Sequence, residues 1–166
     1  PNSGKSIVSL GLMQLLLGKA AKVGYFRPII DDLKNGKMDN HIRTMITHFE
    51  LNIKPRDAYA FTRSEIVEKL NAGKEDEIIS RIIDKYKALE EHFDFILVEG
   101  TDFSGEGSIM EWDINVLIAK NLGVPSIILA TGTGKTLEDL AGNIQMAYDS
   151  FRSNGVQVLM AIANKV

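Results

Sequence analysis

Three short, almost uninterrupted apolar runs most strongly constrain what this 166-residue chain can fold into. The runs cover Phe93–Val98, Val124–Ala130 and Val156–Ala163, and the segments between them carry apolar residues at helical spacing. Runs of this length are typical of strands that are covered on both faces. Because strands that alternate with helices favour a parallel sheet with helices on both faces, we predict a doubly wound, mostly parallel α/β fold.

The rest of the chain extends this alternation. One further strand is predicted over Val23–Phe26, and Arg27 and Pro28 stop it because proline is not tolerated in the centre of a strand. Asp39 and Ser64 are predicted to cap two of the helices. The apolar periodicity predicts helices over residues 4–21, 39–50, 64–70, 74–92, 113–122 and 136–154.

Composition argues against several classes of protein. The chain has no cysteine, which excludes a disulfide framework, a thiolate metal site and a thiol nucleophile. Its apolar runs are too short to cross a membrane, and its net charge of −3 gives no reason to expect a nucleic acid partner. The first residues show no signal peptide, so we expect a cytoplasmic location. These residues resemble a motif whose beginning is missing. Residues 1–166 are therefore expected to form one domain of a longer protein, truncated at its first strand and at its C-terminus.

The tripeptide Gly-Lys-Ser/Thr occurs twice. A complete phosphate loop has a further glycine five residues before the Gly-Lys pair, but Leu129 holds that position before Gly134-Lys135-Thr136. We therefore predict an ordinary strand-to-helix turn there. Gly4-Lys5-Ser6 runs into a long helix and is predicted to bind a nucleotide or anion, with backbone N–H groups and Lys5 on the phosphates and the Ser6 hydroxyl on Mg²⁺. The alternative is a capped helix start with an exposed lysine.

Polar residues that follow the apolar runs extend this candidate site. Ligands of such sheets bind beyond the carboxyl ends of the strands, which is where Glu99 and Asn164 are expected. Glu99 is predicted to join Ser6 as a metal ligand, and Asp39 either reaches the same metal or acts only as a helix cap. Asn164 is a candidate for purine recognition because its amide both donates and accepts. Arg27 is a candidate anion contact, with a surface arginine as the alternative.

The other acidic and histidine residues are predicted to lie at the surface. Eight acids and no Lys or Arg occur between Ala88 and Ala119, and apart from Glu99 these acids are interpreted as solvated surface. The three histidines show no ligand-like spacing and are predicted to be surface or helix-end residues: His41, His48 and His92.

In their order and spacing, the motifs resemble the dethiobiotin synthetase-like branch of the P-loop NTPases. Within that branch the chain is similar to the N-terminal domains of long-form bacterial phosphate acetyltransferases. Besides Gly4-Lys5-Ser6, the resemblance rests on residues 8–11, 23–29, 98–100, 115–122, 133–140 and 163–165.

This resemblance implies a role in assembly and metabolite control. Acetyl transfer between acetyl-CoA and phosphate would belong to a C-terminal domain of the same chain, so no catalytic residue is expected here. A homo-oligomer and a small-molecule effector are the other partners that the resemblance implies.

In the synthetases, a Lys, a hydroxyl and two acids serve ATP and Mg²⁺, and these roles fall on Lys5, Ser6, Asp39 and Glu99. A free-standing ATP- and Mg²⁺-dependent ligase or carboxylase is therefore the alternative function. Arg27 replaces the synthetases' substrate-contacting Lys, and residues 101–103 replace their small Ala-Gly-Gly run, so both departures weaken this alternative.

Overall fold

The computed structural model describes residues 4–19, 22–33, 37–101 and 108–165, without the side chains of residues 108–113. It contains two compact units, residues 1–5 with 102–166 and residues 6–101. In chain order the elements are α1 (Lys5–Leu17), β1 (Val23–Phe26), β2 (Ile29–Ile30), α2 (Asn40–His48), a 3-10 helix (Pro55–Asp57), β3 (Phe61–Thr62), α3 (Arg63–Asn71), α4 (Glu75–Glu90), β4 (Phe95–Val98), α5 (Ser108–Leu122), β5 (Ser126–Thr131), α6 (Leu137–Ser153) and β6 (Val158–Asn164).

Every strand pair in the described residues is parallel. β1 pairs with β4, β2 with β3, and β5 with β6. Parallel strands need long connections, and helices supply several of them, as in other α/β proteins. The predicted α/β fold with parallel strand pairing is therefore confirmed, and the described strands form three two-stranded sheets. None of the described helices is long and apolar enough to cross a membrane.

The core of the unit formed by residues 6–101 lies around β1. All four residues of this strand are buried, and Gly24 is needed because an added Cβ would lie 2.9 Å from Cγ of Phe93. Helix α4 buries one stripe at helical spacing, which consists of Ile78, Ile82, Tyr86 and Leu89. Burial of each large apolar side chain contributes roughly 1.5–3 kcal/mol, so this stripe fixes the helix on the core.

The register of β1 and β4 positions the ends of both strands. Phe26 pairs with Val98, and the amide of Glu99 donates to the carbonyl of Phe26 over 2.8 Å. The pairing with β1 thus continues one residue past the end of β4. As a result, Arg27 and Glu99 lie side by side at the carboxyl ends of β1 and β4.

Capping residues set where two helices of this unit begin. Asp39 caps α2 as predicted, since its Oδ1 accepts from the amides of His41 and Ile42 over 2.9 and 3.0 Å. The prediction of Ser64 as the cap of α3 is wrong. Thr62 caps that helix in a capping box with Glu65, an arrangement that satisfies two backbone donors rather than one.

The unit formed by residues 1–5 and 102–166 contains β5 and β6. Their pairing runs from Ser126 opposite Val158 to Thr131 opposite Asn164. A buried cluster of Val116, Ala119, Phe151 and Val156 forms its core. Helix α5 begins at Ser108 rather than at the predicted residue 113.

Candidate anion-binding site

Three charged side chains meet at the carboxyl ends of β1 and β4. Nη1 of Arg27 lies 2.8 Å from Oδ2 of Asp39, and Nε of Arg27 lies 3.8 Å from Oε1 of Glu99. The three side chains are 8%, 7% and 2% exposed, respectively. Arg27 is therefore not the surface arginine that the sequence allowed, and it holds both acids of the predicted metal site in one ion-paired cluster.

His41 joins this cluster from the first turn of α2. Its Nδ1 lies 2.8 Å from Oε1 of Glu99 and 3.3 Å from Oγ of Ser6. Because a carboxylate only accepts hydrogen bonds, Nδ1 must carry the hydrogen and donate it to Glu99. The Tyr25 hydroxyl donates to the other oxygen of Glu99 over 2.9 Å. Both oxygens of Glu99 thus have a donor from the chain itself.

The contacts of Glu99 shift its own pKa and the pKa values of His41 and Tyr25. Burial by itself works to raise the pKa of Glu99, but hydrogen bonds from His41 and Ser9 and the charges of His41 and Arg27 outweigh it and hold the pKa below its ordinary value. The hydrogen bond to Glu99 raises the pKa of His41 more than burial lowers it. Burial, together with the charge of Glu99, raises the pKa of Tyr25 well above its ordinary value. Glu99 is therefore an ionised carboxylate that accepts hydrogen bonds from side chains of the protein.

An open cavity adjoins this cluster. It has a volume of about 240 Å³ and is lined by Ser6, Leu10, Asn40, His41, Thr44 and Met45. Four of these six residues are polar, so the wall of this small cavity offers several hydrogen-bonding groups. Ser6 and His41 thus belong both to the cavity wall and to the hydrogen-bonded group around Glu99.

Gly4 and Asn164 come together in the other compact unit. Gly4 has a φ of +81°, and a Cβ at this position would lie 2.1 Å from Nδ2 of Asn164. No side chain fits in that space, so the close approach requires glycine. Two of the predicted ligand-binding residues are therefore neighbours, and Lys5 begins helix α1 directly after Gly4.

The second Gly-Lys-Thr segment is confirmed as a strand-to-helix turn. Gly134 has a φ of +70° with open space where a Cβ would point, and Lys135 is exposed. Oγ1 of Thr136 accepts from the amide of Asp139 over 3.1 Å, in a capping box that starts α6. The hydroxyl that a phosphate loop would use for Mg²⁺ caps a helix here.

The residues predicted to bind Mg²⁺ do not fit the ion as they are arranged. Mg²⁺ takes oxygen ligands in near-ideal octahedral geometry. Here the guanidinium of Arg27 links Asp39 to Glu99, and the ring of His41 links Ser6 to Glu99. The described residues also contain no group of three or more His, Asp or Glu suited to a metal ion. Nitrogen donors of the chain thus lie between Glu99 and each of the other two predicted ligands.

Sequence reasoning missed two members of this site. His41 was placed correctly at a helix end, but its contact with Glu99 spans 58 positions of the chain. Tyr25 was assigned only to a strand, and its contact with Glu99 spans 74 positions. A signal existed for His41 alone, because it stands two residues after a cap that was itself a site candidate.

Comparisons with known proteins agree with the resemblance seen in the sequence. The chain is 39% identical over 163 residues to a phosphate acetyltransferase of Nitratidesulfovibrio vulgaris, a match that covers 98% of the chain and 23% of that protein. It is 40% identical over 164 residues to a phosphate acetyltransferase of Synechocystis sp., covering 99% of the chain and 24% of that protein. The matched region is the N-terminal part of these relatives, so the chain spans about a quarter of their length.

A family model agrees over the whole length of the chain. The model described as an AAA domain, a P-loop fold, matches residues 1–166. The chain therefore belongs to the AAA domain family of P-loop proteins.

Proposed function

We propose that this chain is a regulatory and assembly domain of a phosphate acetyltransferase and that it binds a nucleotide or a related anion. The observation that carries the proposal is the identity of 39–40% over 98–99% of the chain to two phosphate acetyltransferases. Acetyl transfer between coenzyme A and phosphate would be catalysed by a C-terminal domain of the same protein. The chain covers only 23–24% of those relatives, which leaves room for such a domain.

The start of α1 supports the anion-binding part of this proposal. The 13-residue helix begins at Lys5, and the N-terminus of a helix attracts phosphate through its free N–H groups and its dipole. Gly4 lets the backbone pass within van der Waals reach of Asn164, which is the predicted contact for a base. Lys5 and Ser6 would meet the phosphates.

Calorimetric titration of the full-length protein with ATP tests this proposal. We expect saturable binding, which Lys5→Ala weakens about tenfold to a hundredfold because one charge-assisted contact is lost. Lys135→Ala is the matched control, since it makes the same change in the other Gly-Lys-Ser/Thr segment, where the lysine is exposed. Binding that survives Lys5→Ala unchanged would contradict the proposal.

The expected homo-oligomer, small-molecule effector and cytoplasmic location form part of the same proposal. The alternative, a free-standing synthetase-like ligase, needs Arg27 to contact a substrate. Arg27 is buried and ion-paired with Asp39 over 2.8 Å, so no described contact favours that alternative. Phosphate release from ATP with diamine or amino-acid substrates, lost on Lys5→Ala, would restore it.

A further inference from the structure

Two basic side chains lie between the groups that a divalent cation would bind. Arg27 contacts Asp39 at 2.8 Å and Glu99 at 3.8 Å. His41 contacts Glu99 at 2.8 Å and Ser6 at 3.3 Å. Arg27 therefore lies between the predicted metal ligands Asp39 and Glu99. His41 lies between Ser6 and Glu99. We propose that Arg27 and His41 take the place of Mg²⁺ in this site, so that it binds a phosphate-bearing anion in its metal-free form.

The charge of the cluster supports this proposal. Asp39 and Glu99 together carry two negative charges, and in a phosphate site they would repel the ligand unless a cation neutralised them. Arg27 keeps its positive charge at any pH that a protein meets, so it offsets one of the two. His41 donates a hydrogen to the other. The acids therefore attract a divalent cation weakly and need none in order to tolerate a phosphate nearby.

The hydrogen bonds that Asp39 and Glu99 accept also support the proposal. Oδ1 of Asp39 accepts from two backbone amides at the start of α2, and its Oδ2 accepts from Arg27. Oε1 of Glu99 accepts from His41 and Oε2 from Tyr25. A metal ion would have to displace these donors, and a buried donor that loses its partner costs about 1–3 kcal/mol. Metal binding at these acids therefore works against the folded structure.

The cavity beside the cluster offers a route for the anion. His41 and Ser6 line its wall together with Asn40 and Thr44. The side chains of Ser6, Asn40 and Thr44 are able to donate hydrogen bonds to phosphate oxygens, and protonated His41 adds a donor at Nε2. Nε of Arg27 is buried and has no hydrogen-bond acceptor among the described residues. The site thus presents donors, and its carboxylates are already ion-paired with Arg27 and hydrogen-bonded to His41.

The first test compares ATP binding in the presence of EDTA and in the presence of saturating Mg²⁺, by calorimetry on the full-length wild-type protein. This first test rests on the proposed function, because it requires that the protein binds ATP. We expect the two dissociation constants to agree within about threefold, a difference of well under 1.4 kcal/mol. Binding that requires Mg²⁺, or that Mg²⁺ strengthens tenfold or more, would overturn the inference. Absence of ATP binding under both conditions would refute the proposed function instead, and the second test then decides.

The second test uses Mn²⁺ alone as a paramagnetic probe and needs no nucleotide. We expect no saturable Mn²⁺ binding to the wild type, and we expect a site to appear in His41→Ala, which frees Oε1 of Glu99 and Oγ of Ser6. His48→Ala, at the other end of the same helix, is the matched control and should create no site. Saturable binding to the wild type that Glu99→Gln abolishes would overturn the inference, and so would absence of binding to both wild type and His41→Ala.

Discussion

The segments Gly4-Lys5-Ser6 and Gly134-Lys135-Thr136 have nearly the same sequence, and both glycines adopt a positive φ, of +81° and +70°. Their surroundings differ. An added Cβ at Gly4 would lie 2.1 Å from Asn164, whereas no atom of the described residues lies within 4 Å of one at Gly134. The hydroxyl of Ser6 contacts His41, whereas that of Thr136 caps its own helix. The tripeptide therefore specifies only a tight turn into a helix, and the groups packed against it decide whether a site forms.

The largest expected effect lies in the charged cluster beside Ser6. Arg27→Met should lower the free energy of unfolding by about 3–5 kcal/mol, because it leaves Asp39 and Glu99 buried without their cation. Lys135→Met, in the exposed second segment, should change it by less than about 0.5 kcal/mol. Urea unfolding of both variants measures the difference. Equal losses of unfolding free energy would show that the charged cluster beside Ser6 matters no more for stability than the exposed second segment.

The two glycines should respond differently to alanine. Gly134→Ala should cost about 1–2 kcal/mol, since the left-handed conformation alone disfavours a Cβ. Gly4→Ala should cost more, because its Cβ also collides with Asn164. Adding Asn164→Ala should recover part of the loss at Gly4 and none at Gly134. Urea unfolding of the two glycine variants, of Asn164→Ala alone and of the two double variants forms the comparison, and strict additivity at Gly4 would refute the predicted collision.

The two hydroxyls should serve different purposes. Thr136→Ala should cost about 1 kcal/mol of stability, the usual value for a lost helix cap, and leave ATP affinity unchanged. Ser6→Ala should weaken ATP binding and cost less stability, because the Ser6 hydroxyl contacts a side chain and not the first turn of its helix. Thermal unfolding and calorimetry on both variants check this reversal. A loss of ATP affinity in Thr136→Ala would indicate that the phosphates bind at Gly134-Lys135-Thr136 and would contradict the proposed site.

The smallest expected effect is a pH dependence of stability that comes from His41, the side chain in contact with Ser6. The pKa of His41 is raised above 6.5 in the folded protein by its hydrogen bond to Glu99. Protonated His41 therefore stabilises the fold at pH values below the unfolded pKa, and this stabilisation is lost as the pH rises through the folded value. The difference in unfolding free energy between wild type and His41→Ala should shrink over that window. The corresponding difference for Thr136→Ala should show no such step.

The sequence predicts the elements that carry a strong local pattern. The apolar runs gave three strands within two residues of their observed ends, and Asp39 was identified as a cap because capping is a contact between neighbours in the chain. The pair formed by β2 and β3 was missed because each strand has only two residues. A strand that short shows no alternation and no apolar run.

The candidate site could be predicted only in part, for a related reason. Glu99 was a candidate because it follows a buried strand, and Lys5 and Ser6 were candidates because of their motif. The hydrogen bonds that Glu99 accepts come from Tyr25 and His41, across 74 and 58 positions. Such contacts follow from strand register and helix placement, which no local spacing encodes. The sequence therefore predicts which acids are involved but not that the chain itself supplies their cations.

The most direct test of the account is a titration of the isotopically labelled protein with ATP, followed by amide chemical shifts. We expect saturable shifts at the amides of Gly4, Lys5 and Ser6, since these N–H groups would face the phosphates. We expect no shift at Gly134, Lys135 or Thr136. Shifts confined to the second segment, or equal in both, would contradict the claim that the surroundings of the first segment make it the phosphate site.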